Sequence, residues 1–91
     1  MNLSDYRQQM DEIDRALTKL FIERMQLSEA IAVYKRENGL PVTDSTREAE
    51  KLASMQAQVP AEYSDYVNEL YRKLFDLSKQ YQNAILSGEV K

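Results

Sequence analysis

The stretch LFIERMQLSEAIAVYKRENG, residues 20–39, decides the fold. It belongs to a longer run in which large residues recur at alternating steps of three and four. We call this line of residues the seam: Leu3, Tyr6, Met10, Ile13, Leu17, Leu20, Arg24, Leu27, Ile31 and Tyr34. Such a heptad spacing is typical of a long amphipathic helix that packs against another helix.

The residues around the seam set the ends of this first helix. Ser4 or Asp5 can cap its amino end, while Gly39 and Pro41 mark its carboxyl end. We therefore expect a helix over residues 5–38, about 50 Å long. Helices of this length are unusual in small globular domains.

Two further helices are predicted after Pro41. Residues 45–48 match the capping-box pattern S-x-x-E, so a short helix should begin near Asp44 or Ser45 and end before Pro60. A third helix is predicted over residues 61–86, and the tail SGEVK should be frayed. Its heptad line consists of Tyr63, Val67, Leu70, Leu74, Leu77, Tyr81 and Ala84.

The predicted architecture needs a second copy of the chain. The 91 residues are expected to form a single domain, 1–91. A compact fold of this length has a radius of gyration of about 12–13 Å, and a 50 Å helix protrudes beyond it. We therefore expect an all-α fold of long, short and long helices, in an intertwined homodimer whose long helices share a core.

Composition excludes several classes of function. The chain contains neither cysteine nor histidine, so disulfides, thiolate metal sites and Ser-His or Cys-His nucleophiles are excluded, and no metal or cofactor is expected. A net charge of −3 and a pI near 4.9 disfavour nucleic acid or a membrane as partner. The polar start MNLSDYRQQMDEID is unlike a signal peptide, so a cytoplasmic location is expected.

Two cations interrupt the apolar pattern. Arg24 occupies the seam itself, and Lys35 lies one residue past it. Such residues can extend to water or fix the register of a helix pair, and they can also form a buried anion site. They lie eleven residues apart, about 16 Å, so both can contact one small anion. Arg7 is about 25 Å before Arg24 and could contribute only from a partner chain running antiparallel.

Polar residues elsewhere are candidates for the same site. Ser78 and Gln82 lie four residues apart and share one face of the third helix, while Asp44, Arg47 and Glu48 lie at the start of the second. Each also has a purely structural interpretation: Glu48 can close a capping box, and the others can be solvated surface residues.

Taken in order, these positions form a recognisable pattern. The segment YRQQMDEIDRALTKLFIERMQLSEAIAVYKRENGLPVTDSTREAE contains an Arg, an ID pair, ER, a Lys before the helix break, P-V-x-D and R-E. A Ser and a Gln four apart follow near the carboxyl terminus. Over nearly its whole length the chain resembles the AroQ-type, all-helical chorismate mutases. The matching positions are Arg7, Arg24, Lys35, Asp44, Arg47, Glu48, Ser78 and Gln82.

The resemblance implies an activity and a chemical mechanism. The family rearranges chorismate to prephenate on the route to phenylalanine and tyrosine, in one concerted step without nucleophile, metal or cofactor. It implies that Lys35 and Gln82 donate hydrogen bonds to the ether oxygen of the substrate. It also implies that Arg24 and, from the other subunit, Arg7 hold the two carboxylates.

The resemblance also implies roles for the remaining positions. Ser78 is expected to assist at the ring carboxylate, and Glu48 with the backbone of Asp44 to hold the ring hydroxyl. Arg47 is expected to border the site.

Two other functions remain compatible with the sequence. Isochorismate–pyruvate lyases resemble the mutases in fold and in much of the cationic site. A helical dimer without catalytic activity, either an adaptor or a regulatory module that senses such a ligand, has the same heptad pattern.

Overall fold

The computed structural model describes residues 1–88 and contains three α-helices in that range. Helix α1 spans Leu3–Glu37, α2 spans Ser45–Ala57 and α3 spans Ser64–Leu86, with a 3₁₀ turn over Ala61–Tyr63. No strand occurs among these residues, so the predicted all-α order of long, short and long helices is confirmed. The predicted fraying of the tail falls partly on residues 89–91, outside the described range.

Helix α1 begins earlier than predicted because Asn2, and not Ser4 or Asp5, is its cap. The Asn2 side chain accepts a hydrogen bond from the Asp5 backbone N–H at 3.0 Å, and the Asp5 carboxylate accepts one from the Asn2 N–H at 3.1 Å. This reciprocal capping box satisfies two backbone donors of the first turn. Asp5 is therefore the third residue of the helix.

The carboxyl end of α1 is closed as the sequence predicts. Gly39 has φ of +65°, a left-handed conformation that glycine adopts at little cost. The Leu40 N–H donates to the Lys35 carbonyl at 2.8 Å, and the Gly39 N–H donates to the Arg36 carbonyl at 3.4 Å. This pair of bonds is a Schellman motif, which turns the chain away from the helix axis.

The start of α2 corrects one prediction. Asp44 is the cap, and its carboxylate accepts a hydrogen bond from the Arg47 backbone N–H at 3.0 Å. The predicted capping box between Ser45 and Glu48 is therefore wrong, because Ser45 is already the first helical residue. The Glu48 side chain is free to reach α3.

Helices α1 and α3 run parallel to each other. Arg24 of α1 lies beside Tyr71 of α3, and Ser28, one turn later, contacts Ser78. The contacts thus advance in the same direction along both helices. Ala32, one turn beyond Ser28, is fully buried, which indicates that the two backbones approach closely there.

Helix α2 returns antiparallel along α3. Glu48 at its start pairs with Lys79, whereas Gln56 near its end hydrogen-bonds to Asn68. Helices α2 and α3 therefore pack together beside the second half of α1, and all three meet at one end of the molecule.

Much of the seam is left uncovered by the other residues of the range 1–88. Its nine apolar members each keep 46% or more of their surface exposed: Leu3, Tyr6, Met10, Ile13, Leu17, Leu20, Leu27, Ile31 and Tyr34. The described chain is 54 Å long with a radius of gyration of 16.3 Å, larger than the value of about 12–13 Å for a compact chain of this size. None of the three helices is long and apolar enough over residues 1–88 to cross a membrane.

The close approach of α1 and α3 can be tested at Ala32. Replacing it with leucine should lower the free energy of unfolding by about 1–3 kcal/mol, because the larger side chain forces the helices apart. Ala53→Leu is the matched control on the exposed face of α2 and should change stability little. Urea unfolding followed by circular dichroism measures both, and equal midpoints for the two variants would contradict this packing.

Candidate active site

A cavity of about 360 Å³ lies where the three helices meet. Seven of the eight predicted site residues line it: Arg24, Lys35, Asp44, Arg47, Glu48, Ser78 and Gln82. Arg7 does not. It is exposed near the amino end of α1, about 25 Å along the helix from Arg24. The fold thus brings residues 24 to 82 together and leaves Arg7 of the same chain apart.

Arg24 is held against two aromatic rings. Its guanidinium carbon is 5.9 Å from the ring centroids of both Tyr71 and Phe75, and the two rings meet edge to face. A cation at this distance is attracted to the ring faces. Within residues 1–88 Arg24 forms no ion pair, so its N–H donors are available to a ligand.

Lys35 is anchored at the end of α1 nearest the loop. Its ammonium group donates a hydrogen bond to the Val42 carbonyl at 2.8 Å. An ammonium has three donors, so two remain for a ligand in the cavity. The Schellman motif described above places Val42 where this contact is possible, which links the helix end to the position of the Lys35 charge.

Glu48 is paired with a residue that the sequence analysis missed. The Lys79 ammonium lies 3.2 Å from the Glu48 carboxylate, and both side chains are about one-quarter exposed. Lys79 directly follows Ser78 and precedes Gln82 by three residues, so helical spacing places it beside them. The helical spacing could therefore have indicated Lys79 as a residue of the site. Its contact with Glu48 of α2 could not be predicted, because that contact depends on how the helices pack.

A chain of hydrogen bonds joins α3 to α1 at the cavity wall. The Gln82 side-chain N–H donates to the Ser78 hydroxyl at 2.9 Å, the Ser78 and Ser28 hydroxyls are 2.7 Å apart, and the Ser28 hydroxyl donates to the Arg24 carbonyl at 3.1 Å. Ser28 and Gln82 are buried, with 3% and 5% of their surfaces exposed. The sequence analysis did not select Ser28, although it lies on the helix face of Arg24 and Lys35.

The cavity is positively charged, unlike the chain as a whole. Five cationic and two acidic side chains line it, which leaves a formal charge of +3 in a chain of net charge −3. The cations are Arg24, Lys35, Arg47, Lys51 and Lys79, and the acids are Asp44 and Glu48. No cluster of three or more metal-ligating side chains occurs within residues 1–88. This arrangement suits a small ligand with two negative charges.

Comparison with known sequences identifies the family. The sequence profile described as chorismate mutase type II matches residues 6–83. The chain belongs to this family. The matched range includes all eight predicted site residues, and the resemblance stated from the sequence is confirmed. No solved structure matches the chain significantly.

Two curated relatives illustrate the similarity. The T-protein of Haemophilus influenzae is 28% identical over 83 residues, which cover 89% of this chain and 22% of that protein. The chorismate mutase of Methanocaldococcus jannaschii is 39% identical over 46 residues, covering 50% of this chain and 46% of that protein. The aligned segments thus span less than half the length of these two curated relatives.

A charged residue at position 24 should make the folded protein less stable than a hydrophobic residue at that position would. Arg24→Leu is expected to raise the free energy of unfolding by about 1 kcal/mol, because it removes a half-buried charge from a positively charged cluster and completes the apolar seam. Arg72→Leu, at an exposed position of α3, is the control and should have a smaller effect. Urea midpoints at one protein concentration test this; a destabilised Arg24→Leu protein would contradict it.

Proposed function

We propose that the chain is a chorismate mutase, an isomerase that rearranges chorismate to prephenate on the route to phenylalanine and tyrosine. The observation that carries the proposal is the convergence of seven predicted residues on one cavity with a formal charge of +3. Membership of the chorismate mutase type II family supports it. The substrate carries two carboxylates, which this charge can balance.

The proposed chemistry requires positioning and electrostatic stabilisation. A concerted rearrangement needs a restrained reactive conformer and donors at the ether oxygen, where negative charge develops. Arg24 would bind one substrate carboxylate through its free N–H groups. Lys35 has two free donors at the cavity, and Gln82 has one amide hydrogen beyond the one given to Ser78. These two residues are proposed to bind the ether oxygen.

The start of α2 would bind the ring hydroxyl. Asp44 uses a carboxylate oxygen to cap the helix, so its backbone is the part proposed to contact the substrate. Glu48 can accept a hydrogen bond from the hydroxyl while it remains beside Lys79. Arg47 borders the cavity and adds to its positive charge.

We also propose that the active form is a homodimer. The exposed seam adjoins an apolar cavity of about 450 Å³ between α1 and α3, lined in part by Leu17, Phe21 and Leu74. A second α1 lying antiparallel on this seam would bury both surfaces. It would also bring Arg7 of the partner subunit towards the cavity, where it could bind the second carboxylate.

Product analysis tests the proposed reaction. The protein is incubated separately with chorismate and with isochorismate, and the products are identified by NMR. Prephenate from chorismate supports the proposal. Pyruvate and salicylate from isochorismate, without prephenate from chorismate, would assign a lyase instead, and no turnover of either would leave a non-catalytic helical module.

Lys35 should be essential for turnover. Lys35→Ala is expected to lower kcat about 100-fold or more, because removal of one donor to a developing negative charge has an effect of that size. Lys73→Ala, at an exposed position of α3, is the control. Steady-state kinetics and circular dichroism on both variants test this, and a Lys35→Ala protein with normal kcat would refute the role.

Gln82 should make turnover insensitive to pH. An amide donates at any ordinary pH, so this group should cause little loss of kcat between about pH 5 and 8. In Gln82→Glu only the protonated carboxyl donates, so kcat should be largest at low pH and fall as pH rises through the pKa of the new carboxyl. A steep fall of wild-type kcat over this range that Gln82→Leu abolishes would contradict the assignment.

Mixing two inactive variants tests the shared site. Arg7→Ala and Lys35→Ala homodimers should both be weakly active, whereas their heterodimer has one site with both residues intact. Activity should therefore recover after subunit exchange. Mass spectrometry of the intact dimers confirms that exchange occurred, and heterodimers without recovered activity would exclude sharing.

A further inference from the structure

We infer that Ser28 is a positioning residue, whose hydroxyl sets the direction of the hydrogen-bond chain through Ser78 and so fixes which end of the Gln82 amide faces Ser78. The inference rests on the proposed function only in assigning a catalytic consequence to that orientation. Ser28 lies in the cavity wall and keeps 3% of its surface exposed. No step proposed above uses its hydroxyl.

The direction follows from counting protons. A serine hydroxyl has one proton to donate. The Arg24 carbonyl, 3.1 Å from the Ser28 oxygen, can only accept, so the Ser28 proton is used there. Ser28 must then accept the 2.7 Å hydrogen bond from Ser78.

The same count of protons fixes which end of the Gln82 amide faces Ser78. Because Ser78 has given its proton to Ser28, its oxygen can only accept from Gln82, and the group 2.9 Å away must be the N–H end of the amide. With the amide turned around, Ser78 would donate to Gln82 and Ser28 to Ser78. The Arg24 carbonyl would then lose its hydrogen bond from the Ser28 hydroxyl. The chain would contain two side-chain hydrogen bonds in place of the present three.

Burial makes this orientation consequential. Gln82 is 5% exposed, and its carbonyl oxygen is enclosed without a hydrogen-bond partner among residues 1–88. If the amide turned around, the N–H end would occupy that enclosed position and the carbonyl would face Ser78. The donor required at the ether oxygen would then be displaced.

Ser78 has a second role in this arrangement. The family resemblance implied that its hydroxyl assists at the ring carboxylate. In the free protein its one proton is directed to Ser28, and its oxygen accepts a hydrogen bond from the Gln82 amide. Ser28 and Ser78 thus act through Gln82.

The test removes the Ser28 hydroxyl in two backgrounds. Ser28→Ala allows Ser78 to donate to the Gln82 carbonyl, so the turned amide becomes as well bonded as the present one. We expect kcat to fall about twofold, because two equally bonded orientations are equally populated and only one presents the donor, with KM nearly unchanged. In a Gln82→Leu background the same substitution should have no further effect on kcat.

A matched control and a spectroscopic measurement complete the test. Ser54 is an exposed helical serine that accepts a hydrogen bond from Gln58, and Ser54→Ala should leave turnover unchanged. The side-chain amide signals of Gln82 are identified by their loss in Gln82→Leu in ¹⁵N-resolved NMR spectra. They should shift in Ser28→Ala and not in Ser54→Ala.

Two results would overturn the inference. One is unchanged Gln82 amide signals in Ser28→Ala, and the other is an equal loss of kcat with and without Gln82. A wild-type protein that does not convert chorismate would refute the proposed function alone, because the NMR comparison needs no substrate and still tests whether Ser28 acts on the Gln82 amide.

Discussion

Burial of the seam on α1 is the physical constraint on which the rest of the structure depends. Helix α1 has 35 residues, whereas α3 of the same chain has 23. Helix α3 contacts the second half of α1. Full burial of a large apolar side chain contributes about 1.5–3 kcal/mol, and nine such residues remain largely exposed. Because the only buried apolar residue among 1–88 is Ala32, a single chain has little core of its own. This exposed seam is the basis of the proposed homodimer.

The same geometry explains how a charged site can lie beside an apolar seam. Arg24 is tolerated there because two aromatic rings support its guanidinium group and its donors face a cavity. All three helices contribute charged or polar groups to this cavity. Of its five cations, two come from α1, two from α2 and one from α3, and α3 also contributes the polar pair Ser78 and Gln82. The turn at Gly39 ends α1 and reverses the chain direction, so that α2 and α3 can pack beside α1 at the cavity.

Local patterns predicted the helices and most of the cavity. Heptad spacing gave α1 and α3, and the Gly39 conformation followed from its place after the last helical turn. Seven cavity residues were predicted because a family pattern orders them along the chain. Their convergence in one chain is a property of the parallel packing of α1 and α3, which spacing alone does not give.

The features that the sequence missed depend on competition or on distant contacts. Asn2 caps α1 because its side chain binds a backbone N–H three residues on, and the caps predicted for this helix lie inside it. Asp44 was one of two predicted starts of α2, and the same kind of hydrogen bond makes it the cap. Lys79 and Ser28 make contacts with residues 31 and 50 positions away. Such contacts exist only after the helices pack, so a single helix face could not show them.

Two copies of the chain are proposed to complete one active site, and sedimentation equilibrium of the purified protein tests whether they associate. The chain has a mass of 10.6 kDa, and we expect a species of twice that mass at the micromolar concentrations used for turnover assays. A protein that converts chorismate while sedimenting as a 10.6 kDa monomer would contradict it.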